Sequence, residues 1–254
     1  MGKVDDYRQA LSALPVQEWE SFLLAESGLP GPRGNLALAQ AVADLGNRQL
    51  FEQLLAWGPG EAPTNTPGEF LATCGVVGLG RLLVQGETDV LDLIRQAAND
   101  PRWRVREGAA MALQRLGHED MRRLMDCVAA WRSGILLEQR ALAAALCEPA
   151  LLDDHAAAEW TLDILDEITA RIVGVTNRCA DFKTLRKGLA YCWSVAVVAL
   201  PEVGQPLMEK WMVGGDRDVI WVMKQNLRKN RLARMDPEWV DLWKARLGIV
   251  PRSS

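Results

Sequence analysis

Apolar residues recur along this chain with helical spacing, in short blocks that Gly, Pro, Asp or Asn residues separate. The alternation typical of half-buried strands does not occur, and the hairpin dipeptides Asn-Gly and Asp-Gly are absent from the sequence. The pattern therefore predicts an all-α protein. We expect helices near residues 4–13, 15–26, 35–45, 47–57, 67–85, 88–98, 102–116, 119–131, 135–148, 153–172, 182–200, 204–213, 217–233 and 236–247.

Two segments between these helices cannot be helical. Residues 27–35 interleave glycine and proline and end at Asn35, which suits the N-cap of the next helix. This connector either turns the chain rigidly or presents backbone N–H groups to an anion, with Arg33 adding charge. Residues 58–68 hold six Gly or Pro residues, and Pro67 suits the first position of the helix that follows.

The same apolar spacing repeats in separate segments. Counting from Val105, the residues at offsets 4, 7, 8 and 11 are all apolar, and so are those counted from Leu185. Four of the five positions match from Leu137, and two of the five match from Met223. We call these five positions the repeat frame. Its starts are 32, 48 and 38 residues apart, which is typical of stacked helix–turn–helix repeats.

A short motif near one of these starts indicates the kind of repeat. Residues 100–113, Asp-Pro-x-Trp-x-Val-Arg-x-x-Ala-Ala-x-Ala-Leu, resemble the core of a HEAT repeat, and residues 218–224 share the arrangement Asp-x-x-Trp-x-apolar-basic. In HEAT repeats the Asp-Pro turn opens the second helix, and small alanines let helix pairs stack closely. The resemblance implies a right-handed α-solenoid of antiparallel helix pairs. We accordingly expect Ala109 and Ala112 at close helix contacts and Trp193 in the core.

The resemblance also implies the organisation of the chain. We expect one HEAT-like domain over residues 1–254, with N-terminal helices and the connector at 1–34, divergent helix pairs at 35–98 and clearer repeats at 99–254. The segments 28–35 and 226–232 are similar to a bacterial group of HEAT-repeat proteins. That similarity implies no biochemical activity.

Charge is distributed unevenly along the chain, which has a net charge of −4. Residues 1–100 hold six Lys/Arg against thirteen Asp/Glu, whereas residues 181–254 hold thirteen against eight. The asymmetry predicts a basic surface near one end. The acidic total argues against a dedicated nucleic-acid binder.

The cysteines and histidines point away from metal and cofactor chemistry. The five cysteines include no Cys-x-x-Cys pair and have apolar neighbours, which predicts buried, reduced thiols in a cytoplasmic protein. Two histidines and scattered cysteines predict no metal site, and no cofactor motif is expected. No stretch approaches 18 consecutive apolar residues, so we expect no membrane-spanning helix.

Three basic residues, Arg106, Arg186 and Lys224, follow their frame starts directly. In HEAT arrays a basic residue at this position commonly pairs with an acid or a carbonyl of the adjacent unit. The three residues form either such a structural ladder or a basic stripe that faces a concave groove.

The segment 224–234 contains Lys224, Arg228, Lys229, Arg231 and Arg234 and no acid. On a continuous helix, Lys224, Arg228 and Arg231 share one face, and Trp221 lies one turn before it. This face either closes the array against water or binds a ligand. Both alternatives predict that Arg228 and Arg231 are at least partly exposed. The candidate ligand-binding residues are Arg106, Arg186, Lys187, Trp221, Lys224, Arg228 and Arg231.

Motifs of catalysis are absent from the sequence, since neither Gly-x-Ser-x-Gly nor His-Glu-x-x-His occurs. Residues 75–80 are rich in glycine but lie inside a predicted helix, which favours close helix packing over phosphate binding. Asp163 and Asp166 fit a solvated helix face. His118 and His155 fit helix ends.

Two functions follow as expectations. The first is a non-catalytic, cytoplasmic HEAT-repeat scaffold that binds a protein partner through its concave surface and has no membrane contact. The second is nucleic-acid binding or base excision, because the chain resembles HEAT-like alkylpurine DNA glycosylases in helix repetition, tryptophan content and its basic C-terminal segment. Those enzymes hold DNA in a basic groove, with Trp and an acidic residue beside the lesion. Their catalytic residues match no specific positions here.

Overall fold

The computed structural model describes residues 2–249, and all the regular secondary structure in this range is helical, as predicted. The helices are α1 Lys3–Ser12, α2 Val16–Glu26, α3 Leu36–Leu45, α4 Arg48–Leu55, α5 Pro67–Val84, α6 Val90–Ala97, α7 Trp103–Glu119, α8 Met121–Val128, α9 Leu136–Leu146, α10 His155–Ile172, α11 Ala180–Ala199, α12 Pro201–Val213, α13 Arg217–Asn226, α14 Asn230–Met235 and α15 Pro237–Arg246. Short 3₁₀ turns occupy Ala129–Ser133 and Pro149–Leu151.

Two predicted helices are shorter than the apolar pattern suggested. The helix expected at 119–131 ends at Val128 and continues as the first 3₁₀ turn. The helix expected at 217–233 ends at Asn226, which is fully buried and whose side chain accepts a hydrogen bond from the Ser194 N–H (2.8 Å). A straight continuation would carry the charged residues after Leu227 towards the core, which is costly without partners. The break avoids that cost.

The helices form two compact units. Of the described residues, those up to Cys127 form unit 1 and those from Val128 onwards form unit 2. Within unit 1, α1 packs on α3, α3 on α5 and α5 on α7. Within unit 2, α9 packs on α11 and α11 on α13. Alternate helices are thus in contact in each unit, while the expectation of a single domain stays a prediction.

Burial follows the repeat frame. All five frame residues counted from Val105 and from Leu185 are buried, including Trp193, whose indole N–H donates to the Thr169 hydroxyl (3.0 Å). In the weaker repeat, Met223 and Leu227 are buried whereas Asn230 is exposed. Where all five frame positions are apolar, all five side chains lie in the core, and where the pattern fails, as at Asn230, the side chain is exposed.

The glycine-rich stretch of α5 is a packing surface, as expected. A Cβ on Gly75 would lie 2.7 Å from the backbone nitrogen of Leu55, and a Cβ on Gly80 would lie 2.7 Å from the Cα of Ala112. Gly78 faces the ring of Phe51 in the same close way. Helices α4 and α7 can approach α5 only because these side chains are missing. Ala112 lies at such a close contact, which confirms its predicted place.

Helix α5 is also long and apolar enough to cross a membrane by length and composition. Most of its residues are buried within unit 1, against α3, α4 and α7. Its apolarity is therefore that of a core helix.

The thiols are free, and three of the five are buried. Cys127 is only partly buried, and Cys179 is exposed because it is the N-cap of α11, where its sulfur accepts from the Phe182 N–H (3.5 Å). The prediction of burial is therefore wrong for Cys179. Its apolar neighbour Phe182 is the residue that enters the core.

Candidate functional site

The basic residues at the frame starts contact the protein's own backbone and acids. Arg106 donates to the carbonyls of Asp100 (2.6 Å) and Pro101 (2.9 Å), at the turn before its own helix. Arg186 pairs with Asp218 of α13 and stacks on the ring of Trp221, 4.2 Å from its centroid. Arg186 therefore contacts a neighbouring helix, as a structural ladder requires, whereas the carbonyls that Arg106 contacts lie next to its own helix.

Asp218 is the centre of this cluster in unit 2. Its side chain is buried and accepts from Arg186 and from Arg178 Nε (2.6 Å). Burial alone raises the pKa of the Asp218 carboxyl, but the hydrogen bonds from the two guanidinium groups outweigh burial and hold that pKa below its ordinary value. The charged pair therefore fastens α11 to α13, and Trp221 is part of that joint.

The shared Asp-x-x-Trp arrangement does not occupy equivalent structural positions. Trp103 is the first residue of α7, whereas Trp221 is the fifth residue of α13. Trp103 is 44% exposed and stacks on Arg104, and Trp221 is half-buried against Arg186. The two tryptophans therefore differ by one helical turn in their place on the helix.

The basic face predicted for Lys224, Arg228 and Arg231 does not exist as one helix face. Lys224 lies in α13, Arg228 in the turn after it, and Arg231 in α14. Arg228 is exposed and Arg231 half-buried, which confirms the predicted exposure of both. Lys224 is half-buried, and Lys187 is exposed on α11. The break after Asn226 therefore places these three residues on three different segments, whereas the helical spacing predicted a single helix face.

A different cluster brings several of these cations together around Tyr191. Tyr191 is 43% exposed, and its hydroxyl accepts a hydrogen bond from Arg231 Nη2 (2.8 Å). The Arg231 guanidinium carbon lies 4.6 Å from the ring centroid and Lys229 Nζ lies 5.6 Å from it. We call these three residues, together with Lys187 and Arg228, the Tyr191 surface. Lys187 lies one turn before Tyr191 on α11, and Arg228 directly precedes Lys229 in the sequence.

An apolar groove adjoins this surface in unit 2. Its volume is about 490 Å³, and Arg231 belongs both to its lining and to the Tyr191 surface. The lining residues are Pro149, Leu152, Asp153, Val195, Val198, Ala199 and Arg231. A guanidinium group held on a tyrosine ring thus borders an apolar cavity.

A second groove crosses α1, α3, α5 and α7 in unit 1. It has a volume of about 520 Å³, and five of its eleven lining residues are charged. Arg8 and Arg115 both donate to the carboxylate of Asp44, and Arg81 donates to the carbonyls of Asp44 and Gly46. The lining residues are Val4, Arg8, Gln40, Asp44, Arg81, Val84, Met111, Gln114, Arg115, His118 and Glu119.

The repeat frame relates the two grooves. Counted from Leu71, helix α5 has three apolar residues and two glycines, Gly75 and Gly78, at the frame positions, and all five are buried. In α5, α7 and α11 the residues at offsets 10 and 13 line a groove, although Val195 is also buried. These residues are Arg81 and Val84, Arg115 and His118, and Val195 and Val198. The same face of equivalent helices therefore forms a charged groove in unit 1 and an apolar one in unit 2.

Several of these residues escaped prediction. Tyr191 pairs with Arg231, 40 residues away in sequence, and Asp44 pairs with Arg115, 71 residues away. Patterns of neighbouring residues cannot reveal partners so distant in sequence. The one sequence feature that could have indicated the groove of unit 1 is that Arg81 and Arg115 both lie at offset 10, counted from Leu71 and from Val105.

Other sequence candidates have structural roles. Asp166 accepts from Lys210 Nζ (2.8 Å) and from the Trp211 indole (2.7 Å), so it joins α10 to α12 instead of facing solvent alone. Asp163 is exposed, and partial burial together with Glu159 and Asp166 raises its pKa. Asn35 is the N-cap of α3, as predicted.

The connector and the histidines complete these candidates. The carbonyl of Gly31 accepts from Arg104 Nη2 (2.7 Å), which anchors the connector at 27–35 to α7. His118 is exposed in the last turn of α7, and His155 is the first residue of α10. Within residues 2–249 no group of three or more His, Cys, Asp or Glu side chains is placed to hold a metal ion.

No protein-family model matches this chain, and no curated protein is similar to it in sequence.

Proposed function

We propose that this chain is a non-catalytic HEAT-like α-solenoid that binds a protein partner. The Tyr191 surface and the adjoining apolar groove bind a segment of that partner in which acidic and apolar side chains alternate. The proposal rests on the position of Arg231. Its guanidinium group is held on the exposed ring of Tyr191, and the same residue lines the apolar groove.

The solenoid arrangement is supported by two features of the helices. Alternate helices pack on one another within each unit, as the inner helices of stacked pairs do. The repeat frame also places equivalent residues in the core of α5, α7 and α11, and places offsets 10 and 13 at a groove. Both features fit antiparallel helix pairs of the right-handed HEAT type.

The Tyr191 surface is suited to a carboxylate. The hydrogen bond and the ring contact hold the Arg231 guanidinium in one place, so little side-chain entropy is lost when it binds. A guanidinium group donates two parallel hydrogen bonds to a carboxylate, and these charge-assisted bonds are the strong ones. Lys229 adds a second positive charge beside the ring, and Lys187 and Arg228 are exposed nearby in sequence.

The apolar groove favours a protein partner over a nucleic acid. Val195, Val198 and Leu152 provide an aliphatic lining that an apolar side chain of a peptide can fill. The net charge of −4 also weakens the attraction of the whole chain for nucleic acid.

Nucleic-acid binding is the second candidate, and it is favoured by the acid-free segment 224–234 beside an exposed tyrosine ring. Aromatic rings and cations together are typical of single-strand binding. The five residues of the Tyr191 surface include neither a tryptophan nor a carboxylate, the residue types that the resembled glycosylases use. The second candidate is therefore binding without base excision.

The affinity of the chain for two labelled probes tests the proposal. One probe is a peptide of alternating Leu and Glu residues, and the other is a single-stranded oligonucleotide of similar length. We expect the peptide to bind, and Arg231→Ala to weaken that binding about tenfold or more. Arg217→Ala is the control, because Arg217 is exposed at the first residue of α13 and belongs to neither the Tyr191 surface nor the lining of the apolar groove.

The outcomes separate the candidates. Tighter binding of the oligonucleotide, with a steep dependence on salt, would establish the second candidate. If neither probe binds, or if the peptide binds Arg231→Ala as well as the parent, the Tyr191 surface is not the binding site.

A further inference from the structure

Asp44 is the point at which the four groove helices of unit 1 meet. Arg8 of α1 donates to its carboxylate from Nε (2.7 Å), and Arg115 of α7 donates to the other carboxylate oxygen. Arg81 of α5 donates to the Asp44 backbone carbonyl. Three guanidinium groups from three helices thus surround one residue of the fourth helix, α3.

The groove holds more positive than negative charge. Three arginines line it against two acids, Asp44 and Glu119, and Arg8 also pairs with Asp5, outside the lining (2.7 Å). The side chains of Arg115 and Asp44 are only 21% and 18% exposed, so water screens their charges incompletely. The described hydrogen bonds of Arg81 use its Nη1 atom alone. The groove therefore has a charge excess and donor capacity beyond what Asp44 uses.

The shape of the groove sets the size of a ligand. About 520 Å³ is far more than one oxyanion occupies, and it falls within the range of small-molecule sites. Val4, Val84 and Met111 line the groove together with the arginines. A ligand that fills it carries an uncharged body as well as an anionic group.

We propose that this groove binds a small organic oxyanion, a phosphate ester or a carboxylic acid with an uncharged body. Its oxygens accept hydrogen bonds from Arg8, Arg81 and Arg115, and its body covers Val84 and Met111. The carboxylate of Asp44 shows the geometry that these arginines recognise, because Asp44 is itself an oxyanion bound by two of them. This site lies in unit 1 and is independent of the Tyr191 surface.

Titration calorimetry with phenyl phosphate, benzoate and inorganic phosphate tests the proposal on the intact chain. Phenyl phosphate or benzoate should bind at one saturable site and more tightly than inorganic phosphate, which has no body. Arg115→Gln should weaken this binding about tenfold or more, because it removes a charge-assisted hydrogen bond. Asp44→Asn should strengthen it severalfold, because it removes a negative charge at nearly constant shape.

Arg33→Gln is the matched control. Arg33 is exposed in the connector before α3, about 15 Å along that helix from Asp44, and its loss should leave the affinity unchanged. The melting temperature of each variant is recorded alongside. If Arg115→Gln does not fold, Arg8→Gln provides the same comparison, since the Arg8 side chain is 44% exposed.

The results decide both the site and its ligand. Tighter binding of phenyl phosphate assigns the site to phosphate esters, and equal or tighter binding of benzoate assigns it to carboxylic acids. The proposal is overturned if neither compound saturates, if Arg33→Gln abolishes binding, or if Asp44→Asn weakens binding as much as Arg115→Gln does. The last result would mean that the cluster only joins helices.

Discussion

At the scale of single residues, the position in the repeat frame relates the core to the groove. Trp193 and Cys192 lie at frame positions of α11 and are buried, and Val195 and Val198, at offsets 10 and 13, line the apolar groove, where Val195 is buried and Val198 exposed. The side chains at these two offsets are then free to differ between units. Arg115 and Val195 show the consequence, because the same offset carries a charge in unit 1 and an apolar group in unit 2.

Trp193→Ala tests the core assignment. The change leaves a cavity and an unpaired Thr169 hydroxyl, so we expect the free energy of unfolding to fall by about 3–5 kcal/mol. Trp103→Ala is the control with the same chemistry, and because Trp103 is 44% exposed we expect a loss below about 1 kcal/mol. Urea midpoints measure both. Equal losses would show that the frame does not define the core.

Asp218 predicts a pH dependence of stability. Its pKa is lower in the folded protein than in the unfolded chain, since the hydrogen bonds from Arg178 and Arg186 outweigh the effect of burial. Such a group stabilises the fold above its unfolded pKa of about 3.9, and that contribution is lost as pH falls through the lower folded pKa. Acid unfolding of Asp218→Asn should therefore depend less on pH than that of the parent.

Asp181→Asn is the control for this measurement, because Asp181 is an exposed carboxyl on α11. Its acid unfolding curve should follow the parent curve. If Asp218→Asn and Asp181→Asn both leave the acid limb unchanged, the Arg178–Asp218–Arg186 cluster does not supply pH-dependent stability.

At the scale of elements, the sequence predicts the helices well and their interruptions poorly. Periodicity and caps such as Asn35 identify the helices because they depend on neighbours three or four residues away. At the break, the Asn226 side chain accepts from the Ser194 N–H, 32 residues distant in sequence. The Tyr191 surface likewise joins Tyr191 of α11 to Arg231, beyond the break, and local periodicity reports neither contact.

Gly80→Ala tests how α5 packs on α7. A Cβ there would meet the backbone of Ala112, which cannot move aside as a flexible side chain does. We expect a loss of about 1–3 kcal/mol from overpacking, even though alanine favours a helix over glycine by about 1 kcal/mol. Gly58→Ala is the control, since nothing lies within 4 Å of its added Cβ. Thermal unfolding compares them, and an unchanged Gly80→Ala would contradict the close packing.

At the scale of the whole molecule, the two units carry the same helical frame and different groove chemistry. The apolar pattern predicted an all-α chain, and the repeat frame predicted the core residues of α7 and α11. They did not identify Arg8, Asp44 or Tyr191, because the partners of these residues lie 36 to 71 residues away. Under the proposals made above, the residues at offsets 10 and 13 help to determine what each groove binds.

The central claim is that Arg231 on Tyr191 selects acidic and apolar protein segments. Reversing the charge at position 231 tests it most directly. The parent and Arg231→Glu are each measured for their affinity for two peptides, one of alternating Leu and Glu and one of alternating Leu and Lys. The account predicts that the parent prefers the Leu–Glu peptide and that Arg231→Glu loses this peptide and gains the Leu–Lys peptide. An unchanged preference in Arg231→Glu, or the same exchange in the control Arg217→Glu, would contradict it.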